Sequence, residues 1–145
     1  MLDISTRYLP LDSQGISHIM ADDFDLMRTR RSIRSIVEVL NGFRDLSHTM
    51  PVGQVVMFLL VALNEGADQT QLAELMDIRK STASRYLLDL SDKTRDGGRG
   101  YELITRDPDP TELRRNVYSL SPKGRALLAK LNNSSNTGGE VVNLS

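Results

Sequence analysis

Apolar positions change their spacing along the chain, and each change predicts an element. Through residues 1–20 they keep no helical period and are interrupted by Pro10 and Gly15, which predicts an irregular or extended arm over 1–21. From Asp22 the pattern turns helical. Asp22, Asp23 and Asp25 suit a helix N-terminus, and apolar residues recur at 26, 33, 36, 37, 40 and 43. The first helix is expected to end near Asn41 and Gly42, with Arg28, Arg30, Arg31 and Arg34 on a solvated or dimer-rim face. Thr49-Met50-Pro51 reads as the next start, with Thr49 as cap and the proline tolerated in the first turn. The run VVMFLLVAL (55–63) is apolar nearly all round, so this second helix, reaching about Asn64, is expected to be central and buried.

A short third helix follows over Gln69–Met76, with Leu72, Ala73 and Leu75 inward and Asp68 or Thr70 as cap. After a brief break a fourth begins near Ser81 and runs to about Ser91. Two short helices joined by a tight turn, ADQTQLAELMDIRKSTASRYLLDL, match a helix-turn-helix. On the fourth helix Ala83, Leu87 and Leu90 face inward with Tyr86 alongside, while Thr82, Ser84, Arg85 and Asp89 face out and Lys80 and Ser81 stand at the start. Small hydroxyls with an arginine are what a helix in the DNA major groove presents, because they approach base edges closely and arginine pairs with guanine in bidentate fashion. A helical hairpin with no nucleic-acid role carries the same pattern.

Beyond residue 100 the period shortens. Tyr101, Leu103 and Ile104 precede the turn DPDPTELRR, and Val117, Tyr118 and Leu120 follow it, as in a β-hairpin whose loop carries Arg114 and Arg115 outward. A helix-turn-helix followed by such a wing, over 105–116, is the winged-helix architecture: mainly α with a small β-hairpin. Ser121-Pro122 marks a last helix over about 122–131, with Ala126, Leu127, Leu128 and Leu131 on its apolar side. Residues 132–145, NNSSNTGGEVVNLS, are polar and Gly-rich and read as a flexible tail. The organisation expected is thus an arm (1–21), a winged helix-turn-helix domain with an N-terminal dimerisation helix (22–131) and a tail.

Composition narrows the chemistry. The 145 residues suit one domain, and no apolar run approaches the roughly 20 residues of a membrane helix. The absence of cysteine excludes disulfides and thiolate metal sites and fits a cytoplasmic location. His18 and His48 lack clustered partners, so neither a metal site nor a His-based catalytic group is expected, and no cofactor is implied. Net charge is only −1, yet residues 1–78 carry six basic and eleven acidic side chains whereas 79–125 carry eleven basic and seven acidic. That asymmetry suits a polyanion-facing segment on an acidic body.

Residues 49–130 resemble the MarR (multiple antibiotic resistance regulator) winged-helix transcription factors. TMPVGQVVMFLLVALNEG is similar to the family's second helix, TQLAELMDIRKSTASRYLLDL to its helix-turn-helix, and LITRDPDPTELRRNVYSLSPKGRALLAKL to its wing and following helix. The family's wing pattern falls on Glu112, Leu113, Arg114, Leu120, Ser121 and Gly124. The resemblance implies that Arg114 reaches into the minor groove while the acidic Glu112, where aspartate is usual, holds it in place. The segment SDKTRDGGRGYE (91–102) is longer than the family's turn, and its Lys93, Arg95 and Arg99 reach phosphates or are simply mobile. The expected partner is double-stranded DNA, read by Lys80, Ser81, Thr82, Ser84, Arg85, Arg95, Arg99, Arg114 and Arg115, with the protein a homodimer sealed mainly by its first helix. No residue marks a pocket for a small effector. The rival readings are a winged helix that binds a protein partner and, least favoured, an enzyme using the carboxylates of Asp107, Asp109 and Glu112.

Overall fold

The computed structural model describes residues 15–94 and 96–140, with side chains over 23–94 and 96–133. Its elements are α1 (Gly15–Leu46), α2 (Val52–Leu63), β1 (Ala67–Asp68), α3 (Gln69–Met76), α4 (Lys80–Leu90), β2 (Ile104–Pro108), β3 (Asn116–Leu120) and α5 (Pro122–Glu140). This is the mainly helical fold with a small β wing that the sequence predicts. Two compact units divide between Val37 and Glu38, and α1 crosses the division.

In the first unit, α1 keeps Phe24, Leu26, Met27, Ile33, Ile36 and Val37 exposed. The Arg28 guanidinium lies 5.5 Å from the centre of the Phe24 ring. The helix begins at Gly15, not at Asp22 as expected. Ile16, Ile19, Met20 and Phe24 already hold the i, i+3, i+4, i+8 spacing, so the acidic residues sit inside the helix rather than at its start. The rest of the expected arm, residues 1–14, lies outside the described residues.

The second unit holds the core. Met57, Phe58 and Val61 of α2, Leu72 of α3 and Ala83, Leu87 and Leu90 of α4 are buried with Leu103, Tyr118, Leu120, Leu127 and Leu131. Phe43 meets Phe58 edge to face, ring centres 5.4 Å apart and planes inclined at 71°. Burying Phe43 keeps α1 helical through Gly42 to Leu46, past the end expected from the sequence. Thr49 does not cap α2. The N-cap is Pro51, without a side-chain bond, and Thr49 Oγ1 lies 3.3 Å from Ser47 Oγ instead. Nor is α2 buried all round: Val52 and Leu63 are exposed while the polar Gln54 is buried, its Nε2 donating to Asp89 on α4 at 2.7 Å.

Three antiparallel strands run in the order β1-β3-β2. The two-residue β1, too short to leave a period in the sequence, pairs Ala67 with Tyr118 and Asp68 with Val117. In the wing, β2 and β3 pair from Ile104–Leu120 to Pro108–Asn116. Leu103 is buried but precedes the strand, because Glu102 takes φ 59° and breaks the extended run. Ser121 starts α5 as expected: its Oγ accepts from Gly124 N at 3.0 Å and donates to Glu102 O at 2.6 Å. The helix then continues to Glu140, so the part of the expected tail over 132–140 is helical, and 141–145 lie outside the described residues. Extending a formed helix is far easier than nucleating one, which lets a polar stretch continue the helix past Leu131.

Candidate nucleic-acid interface

The helix-turn-helix is fixed by local chemistry at each joint. Asp68 caps α3 through a reciprocal pair: its Oδ1 accepts from Gln71 N at 2.8 Å and Gln71 Oε1 accepts from Asp68 N at 3.0 Å. Asp77 closes α3 in the left-handed region at φ 52°. Gln69 Nε2 donates to Lys80 O at 3.0 Å, tying the start of α3 to the start of α4. On α4 the buried stripe is Ala83, Leu87 and Leu90. Away from it Lys80, Ser81 and Arg85 are exposed, and Thr82 and Ser84 are half-buried.

The segment after α4 is a built hairpin. Lys93 pairs with Arg99 in an antiparallel bridge, and Thr94 N donates to Gly98 O at 2.9 Å. The returning strand then covers the C-terminal carbonyls of α4, with Tyr101 N on Asp89 O, Glu102 N on Ser91 O and Leu103 N on Leu90 O, all within 2.8–2.9 Å. Gly100 allows this approach, since an added Cβ would overlap Ser91 O. Arg99 is exposed and pairs with Glu102, its Nε 3.2 Å from Oε1. An open polar cleft of about 550 Å³ lies between hairpin and helix, lined by Arg85, Asp89, Thr94, Asp96, Arg99 and Tyr101. Arg95 lies outside the described residues.

The wing turn joins β2 to β3. Its organiser is Asp109, which is buried and whose Oδ1 accepts from Thr111 N at 2.8 Å and Thr111 Oγ1 at 2.7 Å. Asp109 Oδ2 accepts from Arg115 Nε at 2.8 Å and also bonds Arg115 Nη2, while Arg115 Nη1 lies 3.2 Å from Asp68 Oδ2. Arg115 therefore leans onto two carboxylates while its side chain stays 45% exposed, and Arg114 beside it is exposed too. Glu112 was expected to hold Arg114, yet among the described residues no ion pair joins them. Glu112 supports the turn through its backbone, which links Asp109 O at 3.2 Å and Arg115 N at 2.8 Å. Leu113, 80% exposed, and Arg114 stand at the tip.

Electrostatics follow the same contacts. Thr111 N–H and hydroxyl, then Arg115, hold the Asp109 carboxyl down at about 2. The bond and charge of Asp109 push Arg115 above its ordinary value. At the other end of β3, the Leu120 N–H and Arg125 lower Glu65, whose Oε1 accepts from Leu120 N at 2.9 Å and Arg125 Nη2 at 2.7 Å. Asp109, one of the carboxylates weighed for acid–base chemistry, is thus committed to the turn. Among the described residues no three His, Asp or Glu side chains are placed to hold a metal ion, and no helix is long and apolar enough to cross a membrane.

Neither a protein-family model nor a curated protein matches the sequence. Solved structures do match by fold. The transcriptional regulator Tm0710 of Thermotoga maritima is 20% identical with a TM-score of 0.65, the match covering 83% of this chain and 78% of that one. A mutant of MepR from S. aureus, bound to an oligodeoxyribonucleotide, is 14% identical with a TM-score of 0.59, over 85% and 80% of the two chains. A MarR transcriptional regulator of Methanosarcina mazei is 18% identical with a TM-score of 0.52, over 86% and 82%. By fold, the chain is similar to these transcriptional regulators, with a helix-turn-helix followed by a β wing.

Proposed function

We propose that this chain is a sequence-specific, double-stranded-DNA-binding transcription regulator that works by binding, not catalysis. The observation that carries the reading is one face of α4, with Lys80, Ser81 and Arg85 exposed, followed in the chain by a wing that holds Arg114 at its tip. In this reading α4 enters the major groove, where Arg85 reaches a base edge and Thr82 and Ser84 approach closely. Arg114 meets the adjacent minor groove, whose negative potential is enhanced where it is narrow. Lys93 and Arg99 lie beside α4 near the phosphates, and Arg95 belongs to the same hairpin by sequence. A DNA-bound structure of similar fold supports the choice of partner. DNA as the working partner, with the absence of cysteine, supports a cytoplasmic location.

The regulator acts as a homodimer in this proposal. One winged helix reads only a few base pairs, so two copies on half-sites about one helical turn apart supply specific affinity. The apolar residues that α1 leaves exposed, Leu26, Ile33, Ile36, Val37 and Leu40, support α1 as the seal. The test is a salt titration of binding to genomic and random duplexes. Phosphate contacts impose a slope of roughly −0.9 per contact in log K against log salt, and specific sites should retain an excess affinity. Binding that is absent, or flat with salt, would instead favour a protein partner for the same surface.

A further inference from the structure

Every nitrogen of the Arg115 guanidinium faces a carboxylate of the protein, although the side chain stays 45% exposed. Nε and Nη2 bond Asp109, and Nη1 lies 3.2 Å from Asp68. The two carboxylates belong to different parts of the fold. Asp109 follows β2 and organises the wing turn, while Asp68 ends β1 and caps α3. They are 5% and 7% exposed, so neither relies on water for its partners. Two carboxylates with one guanidinium keep a net negative charge, which repels a phosphate instead of receiving one. Arginine suits this place because its planar fork meets two acceptors at fixed angles, which an ammonium cannot do.

We infer that Arg115 is a positioning residue: it fastens the wing turn to the N-terminus of the helix-turn-helix, and so sets where its neighbour Arg114 meets DNA. The inference rests on the proposed DNA-binding reading and deepens it. Asp109 fixes the turn that presents Arg114, Arg115 ties Asp109 to Asp68, and Asp68 fixes the start of α3. Wing and recognition helices therefore share one anchor. Removing Arg115 leaves both carboxylates without a cation, and the wing turn is then tied to the start of α3 only through the β1–β3 pairing.

The experiment measures duplex affinity for Arg115→Gln in the parent and in an Arg114→Ala background, on sites with A·T-rich and G·C-rich flanks. In the parent, Arg115→Gln should lower affinity about tenfold on A·T-rich flanks, the loss of one well-placed arginine contact, and much less on G·C-rich ones. In the Arg114→Ala background it should change affinity by less than about twofold, because the residue it positions is already gone. Arg115→Lys should behave like Arg115→Gln, since charge without the fork does not bridge. Asp68→Asn keeps a capping acceptor but removes the charge facing Nη1, and should repeat the pattern more weakly if Arg115→Gln proves poorly folded by its melting temperature. Equal losses in both backgrounds, rescue by lysine, or no loss in the parent would each overturn the inference. A parent protein that binds no duplex would instead sink the functional reading beneath it.

Discussion

Gly124→Ala sets two ordinary rules against each other. The residue lies within α5, where alanine is the better helix former by roughly 1 kcal/mol. Propensity alone therefore expects a more stable protein. The packing says the reverse. An added Cβ would overlap Leu103 O, stand 3.0 Å from Leu103 C and sit 3.2 Å from the Phe58 ring. Leu103 O is backbone and already accepts from Ser121 N at 3.0 Å, while Ser121 Oγ donates to Glu102 O at 2.6 Å. Relief requires the start of α5 to shift away from the segment leading into β2. That strains both bonds, at about 1 kcal/mol each. Overpacking of a tight site adds roughly 1–3 kcal/mol. Set against the propensity gain, these terms leave a net loss of about 2–4 kcal/mol. Urea unfolding, with midpoint and slope compared between parent and variant, is the assay. An unchanged or raised midpoint at equal slope would refute the close approach of α5 to Leu103. Because this contact roots the wing, DNA affinity should fall in the same variant.

Other expectations follow from the site and from α1. Arg85→Ala should cost roughly 1–3 kcal/mol on the preferred duplex and relax selectivity at one base position, with melting temperature unchanged because the side chain is exposed. Affinity on specific and scrambled duplexes decides it, and equal binding to both by the parent would misassign the reading face. Ile36→Glu on the exposed face of α1 should shift a dimer toward monomer in sedimentation equilibrium at micromolar protein. A parent that is strictly monomeric there while binding DNA specifically would exclude dimerisation through α1. For Asp109 the folded carboxyl sits at about 2, below the ordinary value near 3.9, so the unfolded chain takes up its proton first as pH falls. Its stabilisation is thus complete above about pH 4 and fades toward pH 2, and Asp109→Asn should flatten that limb of a denaturation series from pH 2 to 5. An unchanged limb would show that the turn does not depend on the charged form.

Periodicity made much of the fold legible. Leu72 and Ala73 on α3, and Ala83, Leu87 and Leu90 on α4, stand in helical spacing in the sequence and are buried in the structure, whereas Leu75, expected inward with them, is exposed. Tyr118 and Leu120 are buried at alternate places, as a half-covered strand requires. The misses have two causes, elements too short to show a period and glycines given too much weight. Two residues of β1 cannot show a period, and their pairing with Tyr118 and Val117 joins positions about fifty apart in the chain. At Gly42 and Gly15 glycine was read as punctuation, although Phe43 in one case and the spacing from Ile16 to Phe24 in the other continue the helix. Glycine weakens a helix by only about 1 kcal/mol, which one buried aromatic outweighs.

The site divides the same way, most sharply at two adjacent arginines. Composition and turn signals bring Arg114 and Arg115 to the wing, but nothing local says which of them faces out. In a turn, neighbouring side chains leave the backbone in different directions, and the choice falls to whatever acceptors lie on each side. Here both acceptors lie on one side. Asp109 is six residues before Arg115 and could be suspected from its place in the turn. Asp68 is forty-seven residues away and reaches Arg115 only because β1 pairs beside β3. In the sequence Asp68 reads as a helix cap, which it is, and its second oxygen is what remains unseen. Glu112 adds its charge near Arg115 and, among the described residues, forms no ion pair with Arg114, so the bonded pair of the wing is Asp109–Arg115. A charge pattern in a wing can therefore be read for which residues gather there, while the assignment of contact and anchor waits on the strand that pairs behind it.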